Sequence, residues 1–189
     1  MEPSRKCRRI RSDADTVLVV HSVYEKEAEM QRHDAKGRLN PSEETIQVGP
    51  TRLRFLVTGA DSNGSAAIFE VTIPGGARLA GPAHSHDAYE ETIYGIEGVS
   101  TWTVDGEPIE VGVGQALCIP RGAVHGFANH GNADARVLAT LTPAAIGPEF
   151  FHESAAVIAE ATGGPPDRAK MADVMRRHGL TPAPPPTSA

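Results

Sequence analysis

Cysteine is scarce in this chain of 189 residues, which holds two, Cys7 and Cys118. Two thiols make no disulfide framework, and both are expected to stay reduced in a cytosolic setting. Long apolar runs are also missing: nothing approaches the roughly 20 residues that a bilayer-spanning helix requires. Nor is there an excess of positive charge. With 18 Lys and Arg against 24 Asp and Glu the net charge is −6, which offers no general attraction to nucleic acid or an anionic membrane. The N-terminus gathers Arg5, Lys6, Arg8, Arg9 and Arg11, but lacks the apolar stretch of a secretory signal. Such a cluster reads as a solvated tail, with weak polyanion contact as the alternative. No internal repeat is found, and residues 1–45 are too polar to supply a helix-turn-helix. These absences lead us to expect a cytoplasmic protein with neither membrane nor nucleic-acid partners.

What is present is a 40% hydrophobic fraction together with 19 Gly and 15 Pro. That suffices for a core and implies many turns and short strands. From Ile46 the texture is one of short alternating runs. Residues 52–58 place Leu53, Phe55 and Val57 on one face, and residues 67–73 do the same with Phe69, Val71 and Ile73. Residues 92–96, 100–104, 107–111, 116–119 and 136–141 continue the pattern. Asp61 to Gly64, Pro74 to Gly76, Asp105 with Gly106, and Asn129 to Asn132 supply turns. Breaks so close together leave no room for crossover helices, which points to an all-β sandwich or barrel over residues 46–145.

The flanks differ. Residues 1–45 are expected to form an arm, partly extended or disordered, with one short strand at residues 16–20. Residues 146–180 are expected to be helical. Pro148 would open one helix, with Phe150, Phe151, Val157 and Ile158 on its buried side. Asp167 would cap a second, with Met171, Val174 and Met175 inward, Arg176 and Arg177 in its last turn and Gly179 beyond its end. Residues 181–189 are proline-rich and expected to be disordered.

Chemistry concentrates in two stretches. His84 and His86 are two residues apart, so on a strand both imidazoles point the same way and form a claw for a divalent metal. A carboxylate after the next turn, Glu90 or Glu91, could close the set. Further on, Pro120 and Gly122 form a turn that delivers His125 at the start of a strand. Isolated histidines are more often polar strand ends than ligands. Four ligand types in two spaced groups reverse that balance. His21, His33, His130, His152 and His178 are scattered and read as surface residues. Cys118 reads as a small apolar filler, Trp102 as a sheet-face aromatic or a cavity wall, and Tyr89 and Glu90 as supports beside the metal glutamate. Arg52, Arg54 and Glu70 are solvent-facing or, for Arg54, placed to meet an anionic ligand at the barrel mouth.

These two stretches resemble the two motifs of the cupin superfamily, G(X)5HXH(X)3,4E(X)6G and G(X)5PXG(X)2H(X)3N. The second is matched at Gly114, Pro120, Gly122, His125 and Asn129. The first is matched at His84, His86, Glu91 and Gly98, but its opening glycine is missing, the nearest being Gly76 and Gly81. Within that pattern the six residues before Gly98 select Glu91 over Glu90. The resemblance implies a jelly-roll barrel, or double-stranded β-helix, in which His84, His86, Glu91 and His125 hold one divalent transition metal ion. Three neutral imidazoles and one carboxylate leave a single positive charge on the ion, and octahedral geometry leaves two open positions. Iron, manganese, nickel, copper, cobalt and zinc all suit such ligands.

A looser similarity, carried by Leu141 to Pro143, Glu149 to Phe151 and His178 to Leu180, is to small bacterial cupins of the quercetin-dioxygenase-like kind. It implies a metal-dependent oxidoreductase, a dioxygenase acting on a small cyclic or enolisable compound, with Glu91 doubling as catalytic base. A non-oxidative isomerase or lyase and a non-catalytic ligand-binding protein are the alternatives, because one scaffold hosts many activities. Cupin barrels often pair through N-terminal strands, so residues 16–20 suggest an exchanged edge and a homodimer.

Overall fold

Alternating burial along short strands sets the architecture. The computed structural model describes residues 45–161 and 164–184. Its strands are β1 (Thr45–Val48), β2 (Thr51–Val57), β3 (Ala67–Ile73), β4 (His84–His86), β5 (Glu90–Glu97), β6 (Ser100–Val104), β7 (Glu107–Val111), β8 (Ala116–Ile119), β9 (His125–Ala128), β10 (Ala135–Thr142) and β11 (Leu180–Pro182). Two helices, α1 (Pro148–Ala159) and α2 (Arg168–Arg177), lie between β10 and β11. One sheet has the order β1-β2-β3-β10-β5-β8 and the other β11-β4-β9-β6-β7. All pairings are antiparallel. This is the all-β jelly roll.

Side-chain parity decides what faces inward. In β3, Ala67, Phe69, Val71 and Ile73 are buried, and β10 answers with Ala135, Val137, Ala139 and Leu141 opposite them. The rings of Phe55, Phe69 and Phe151 meet with centroids 4.9, 5.3 and 5.7 Å apart, which ties α1 to the sheet. The motif glycines supply backbone that other residues rarely adopt. Gly122 has φ +79° in the turn before His125. Gly98 has φ +66° where a Cβ would sit 2.6 Å from the Asp134 carbonyl oxygen. Asn129, the last residue of the second motif, is a clip. Its amide donates to the Ile73 and Ala133 carbonyls at 2.9 and 2.8 Å and accepts from Gly131 N at 2.9 Å.

The helices form for the reasons their sequences suggest. Pro148 occupies the first turn of α1, which buries Phe150, Ser154 and Val157. Asp167 caps α2, accepting from Ala169 N and Lys170 N at 2.9 and 3.1 Å, while Met171, Val174 and Met175 are buried.

Two expectations are corrected. The proline-rich tail expected from residue 181 instead begins with a strand: Leu180, Thr181 and Pro182 pair with His86, Ser85 and His84. Pro182 is tolerated because β11 is an edge strand. Cys118 is exposed, because it pairs with Thr92 on the outer face, opposite in parity to Leu117 and Ile119. Arg54 takes the solvent-facing alternative and bonds the cross-strand Glu70 carboxylate at 2.7 and 3.1 Å on the outer face. The expected strand at 16–20, and the exchanged-arm homodimer that rests on it, lie outside the described residues. Among the described residues, no helix is long and apolar enough to cross a membrane.

Candidate metal centre

The cluster is assembled by register. His84 of β4 lies directly opposite His125 of β9, and β4 carries His86 two residues on, toward the same side. Glu91 arrives from the other sheet. In β5 it shares the inward face with buried Ile93, and its cross-strand neighbours Leu141 and Ile119 are both buried. Parity therefore turns Glu90 outward, where Arg121 grips it at 2.8 and 3.0 Å. Alternation thus turns Glu91, not Glu90, toward the histidines.

Glu91 Oε2 lies 3.2 Å from His125 Nε2 and 3.4 Å from His86 Nε2. One ligand atom from each of these three residues falls within 4.8 Å of the others. Ligands at about 2.1 Å from a shared ion sit roughly 3 Å apart when adjacent, so the spacing fits a common metal. His84 stands outside this set of three. Its ring centroid is 4.7 Å from that of His125 and 6.2 Å from that of His86.

Backbone carbonyls fix the tautomers. His86 Nδ1 is 2.9 Å from Tyr89 O, His125 Nδ1 is 3.0 Å from Ala123 O, and His84 Nδ1 is 3.5 Å from Pro82 O. A carbonyl can only accept, so each Nδ1 donates to it, and each Nε2 is left as the ring nitrogen free to serve the cluster. Metal-binding histidines are held in this way. Buried His125 Nε2 has no hydrogen-bond partner: Glu91 is close enough for ion pairing but out of line for a bond. A cation accepting both lone pairs would satisfy this orphan.

The charge states agree with that role. Burial lowers His84 to about 4, assisted by nearby His125, so it is neutral at physiological pH although partly exposed. Burial would raise Glu91, but the contacts from His125 and His86 outweigh it and hold the carboxyl at about 2. Burial would likewise lower His125, yet the Glu91 carboxylate beside it raises it.

The centre opens into a cavity whose mouth is open to solvent. His84, Tyr89, Glu91 and His125 lie along one part of the wall. Trp102 and Phe127, Phe69, and then Phe150, Phe151, Met171 and Met175 from the two helices make most of the remainder apolar. Trp102 thus both packs in the sheet, donating from Nε1 to Ser100 Oγ at 3.0 Å, and lines the cavity. Tyr89 was expected only as a support. It stacks on His86 with centroids 4.0 Å apart and is 1% exposed, and its hydroxyl has no partner. Thr51 and Ser154, which the sequence did not single out, have buried unpartnered hydroxyls in the same wall. Nothing in their spacing marks them. His178, read as a surface residue, is partly buried against Phe150 and bonds Glu153 at 3.0 Å.

A two-sheet jelly roll with imidazoles and a carboxylate from both sheets converging at a cavity defines a class of small barrel proteins. Residues 69–157, a little under half of the chain, match the cupin domain family. The chain is 32% identical over 83 residues to the tetracenomycin polyketide synthase protein TcmJ of Streptomyces glaucescens, over 44% of this chain and 56% of that protein. The chain thus spans little more than half the length of that curated relative. Among solved structures it is similar to a predicted oxalate decarboxylase of Thermotoga maritima, with 21% identity, a TM-score of 0.50, and coverage of 57% of this chain and 99% of that one. It is also similar to the polyketide cyclase RemF of Streptomyces resistomycificus, with 22% identity, a TM-score of 0.48, and coverage of 64% and 96%. At 21% identity the Thermotoga maritima structure speaks for the fold alone.

Proposed function

We propose that the protein is a metal-dependent enzyme acting on a small, largely apolar, enolisable compound. His86, Glu91 and His125, with His84 from the cavity side, would hold one divalent transition metal ion. The observation that carries this reading is the convergence of two imidazole nitrogens and a carboxylate oxygen within 4.8 Å, each imidazole turned by a backbone carbonyl.

A metal bound there supplies Lewis acidity toward a substrate oxygen and, if redox-active, electron transfer. The chain's own groups do the rest. Glu91, ionised at neutral pH, can accept the proton of a substrate hydroxyl or enol at its carboxylate. The apolar wall from Phe69 to Met175 keeps water from the reacting face. The relationship to the tetracenomycin polyketide synthase protein supports a multiply oxygenated ring or chain as substrate. Oxygen-dependent cleavage, the dioxygenase reading, and oxygen-independent isomerisation, cyclisation or elimination share this proton transfer.

The test is elemental analysis of purified protein alongside His86→Ala and His125→Ala variants. Oxygen uptake is then followed on flavonols, dihydroxynaphthalenes and cyclic 1,3-diketones. Metal near one equivalent in the wild type and near zero in the variants is expected. Equal metal content in all three sinks the reading. Product formation with no oxygen consumed assigns the non-oxidative branch.

A further inference from the structure

The Asp105–Gly106 turn looks like an ordinary hairpin connection, but its first residue has a second task. Val104 pairs with Glu107, so two residues join β6 to β7. Asp105 has φ +48° and Gly106 φ +89°, the double left-handed bend that suits the twist of a hairpin. Glycine or asparagine serves such a turn as well as aspartate does. The aspartate carboxylate, however, reaches across to another connection. Its Oδ1 accepts from Val124 N, 19 residues on, at 2.8 Å, and Asp105 N donates to Val124 O at 2.7 Å.

Val124 immediately precedes His125. The Val124 N–H and the Ala123 carbonyl are the two ends of one planar peptide group, so fixing one end fixes the other. Asp105 holds the N–H end, and the carbonyl end accepts from His125 Nδ1 at 3.0 Å. A carboxylate, a peptide plane and an imidazole thus form one chain of hydrogen bonds. It ends at His125 Nε2, which lies 3.2 Å from Glu91 Oε2. The same turn is anchored on its other side to the second histidine of the cluster, Gly122 N donating to His86 O at 3.0 Å. Asp105 and Val124 are exposed, whereas the His125 ring is buried. A bond at the surface contributes modestly to the fold. Its larger effect is on direction, because a peptide released at the N–H end can swing the carbonyl that sets the imidazole plane.

We infer that Asp105 is a positioning residue for the candidate metal centre: through the Ala123–Val124 peptide it sets the carbonyl that orients the His125 ring. It acts on the imidazole without touching it. The inference rests on the reading of His125 as a ligand and adds the group that aims it. Groups that orient metal-binding imidazoles are worth about 10- to 100-fold in affinity.

Asp105→Gly keeps a two-residue turn of the same kind and removes the acceptor, while Asp105→Asn keeps an acceptor oxygen and removes the charge. Both are compared with the wild type as full-length protein. The first readout needs no metal: the imidazole N–H resonances of the metal-free protein. In Asp105→Gly the His125 Nδ1–H resonance should move upfield and exchange faster with solvent. Those of His84 and His86, held by the Pro82 and Tyr89 carbonyls, should stay in place. Asp105→Asn should resemble the wild type. The second readout is zinc affinity by competition with a chromophoric chelator. Asp105→Gly should bind about tenfold or more weakly, and Asp105→Asn should stay within about threefold of the wild type. An unmoved His125 resonance in Asp105→Gly, an equal shift of all three histidines, or an asparagine variant as impaired as the glycine one would each overturn the inference. So would unchanged zinc affinity beside a shifted resonance. A wild type that binds no zinc removes the metal reading, and the ring resonance by itself then upholds or overturns the orientation of His125 by Asp105.

Discussion

Glu91 Oε2 lies 3.2 Å from His125 Nε2, although one residue belongs to β5 of the first sheet and the other to β9 of the second. This contact joins the two halves of the barrel at its chemical centre. Glu91→Gln keeps the shape and removes the charge, and we expect metal affinity to fall by at least about a hundredfold, since even supporting groups around a metal cost 10- to 100-fold. Glu90→Gln, which severs only the Arg121 pair, should leave the metal content unchanged. Competition with a chromophoric chelator measures both, and equal losses would reverse the assignment.

The metal-free protein should be most stable near pH 6.5. Below it, the unfolded chain takes up a proton at His84 from about 6.5 downward, whereas the folded protein resists until about 4, so stability falls across that window. Glu91 adds a second acidic loss, its contribution being full above the unfolded value of 4.5 and lost as the folded carboxyl is protonated toward about 2. Above pH 6.5, His125 acts with the opposite sign. Its raised folded value gives stability that is full below 6.5 and is lost as pH climbs through that raised value. Thermal melts from pH 4 to 9 should trace a dome, and His125→Gln should flatten its alkaline side.

Asn129 belongs to the second motif but touches no ligand atom of the cluster. Asn129→Ala removes three buried hydrogen bonds and should cost about 2–4 kcal/mol, read by urea denaturation. The variant that remains folded should bind metal as before. A loss of metal with no loss of stability would contradict the structural role.

Leu180 is 2% exposed and pairs with His86. Leu180→Ala should cost about 2–5 kcal/mol and loosen β4, weakening metal binding about tenfold by analogy with other groups that position ligands. Calorimetry and chelator competition together check it. An unchanged affinity would mean that β9 alone holds the strand.

Much of this was legible in the sequence because the signals are local. Pro120 and Gly122 announce the turn that presents His125, Asp167 announces its helix, and period-two alternation outlines β3, β6 and β7 to the residue. What escaped depends on tertiary pairing. The short β11 is extended only because β4 offers it an edge. The inward face of Cys118 could not be told from its outward one without the register to Thr92. Hydroxyls such as Thr51 and Ser154 look ordinary until the walls around them are known.

β4 gains its two neighbours from far along the chain, β9 about forty residues later and β11 not until the last described residues. Closing loops of that length is entropically slow and comes late in folding. During synthesis the His84–His86 segment must therefore wait for β9 on one side and much longer for β11 on the other. The candidate cluster of His86, Glu91 and His125 therefore comes together only after β9 has been made.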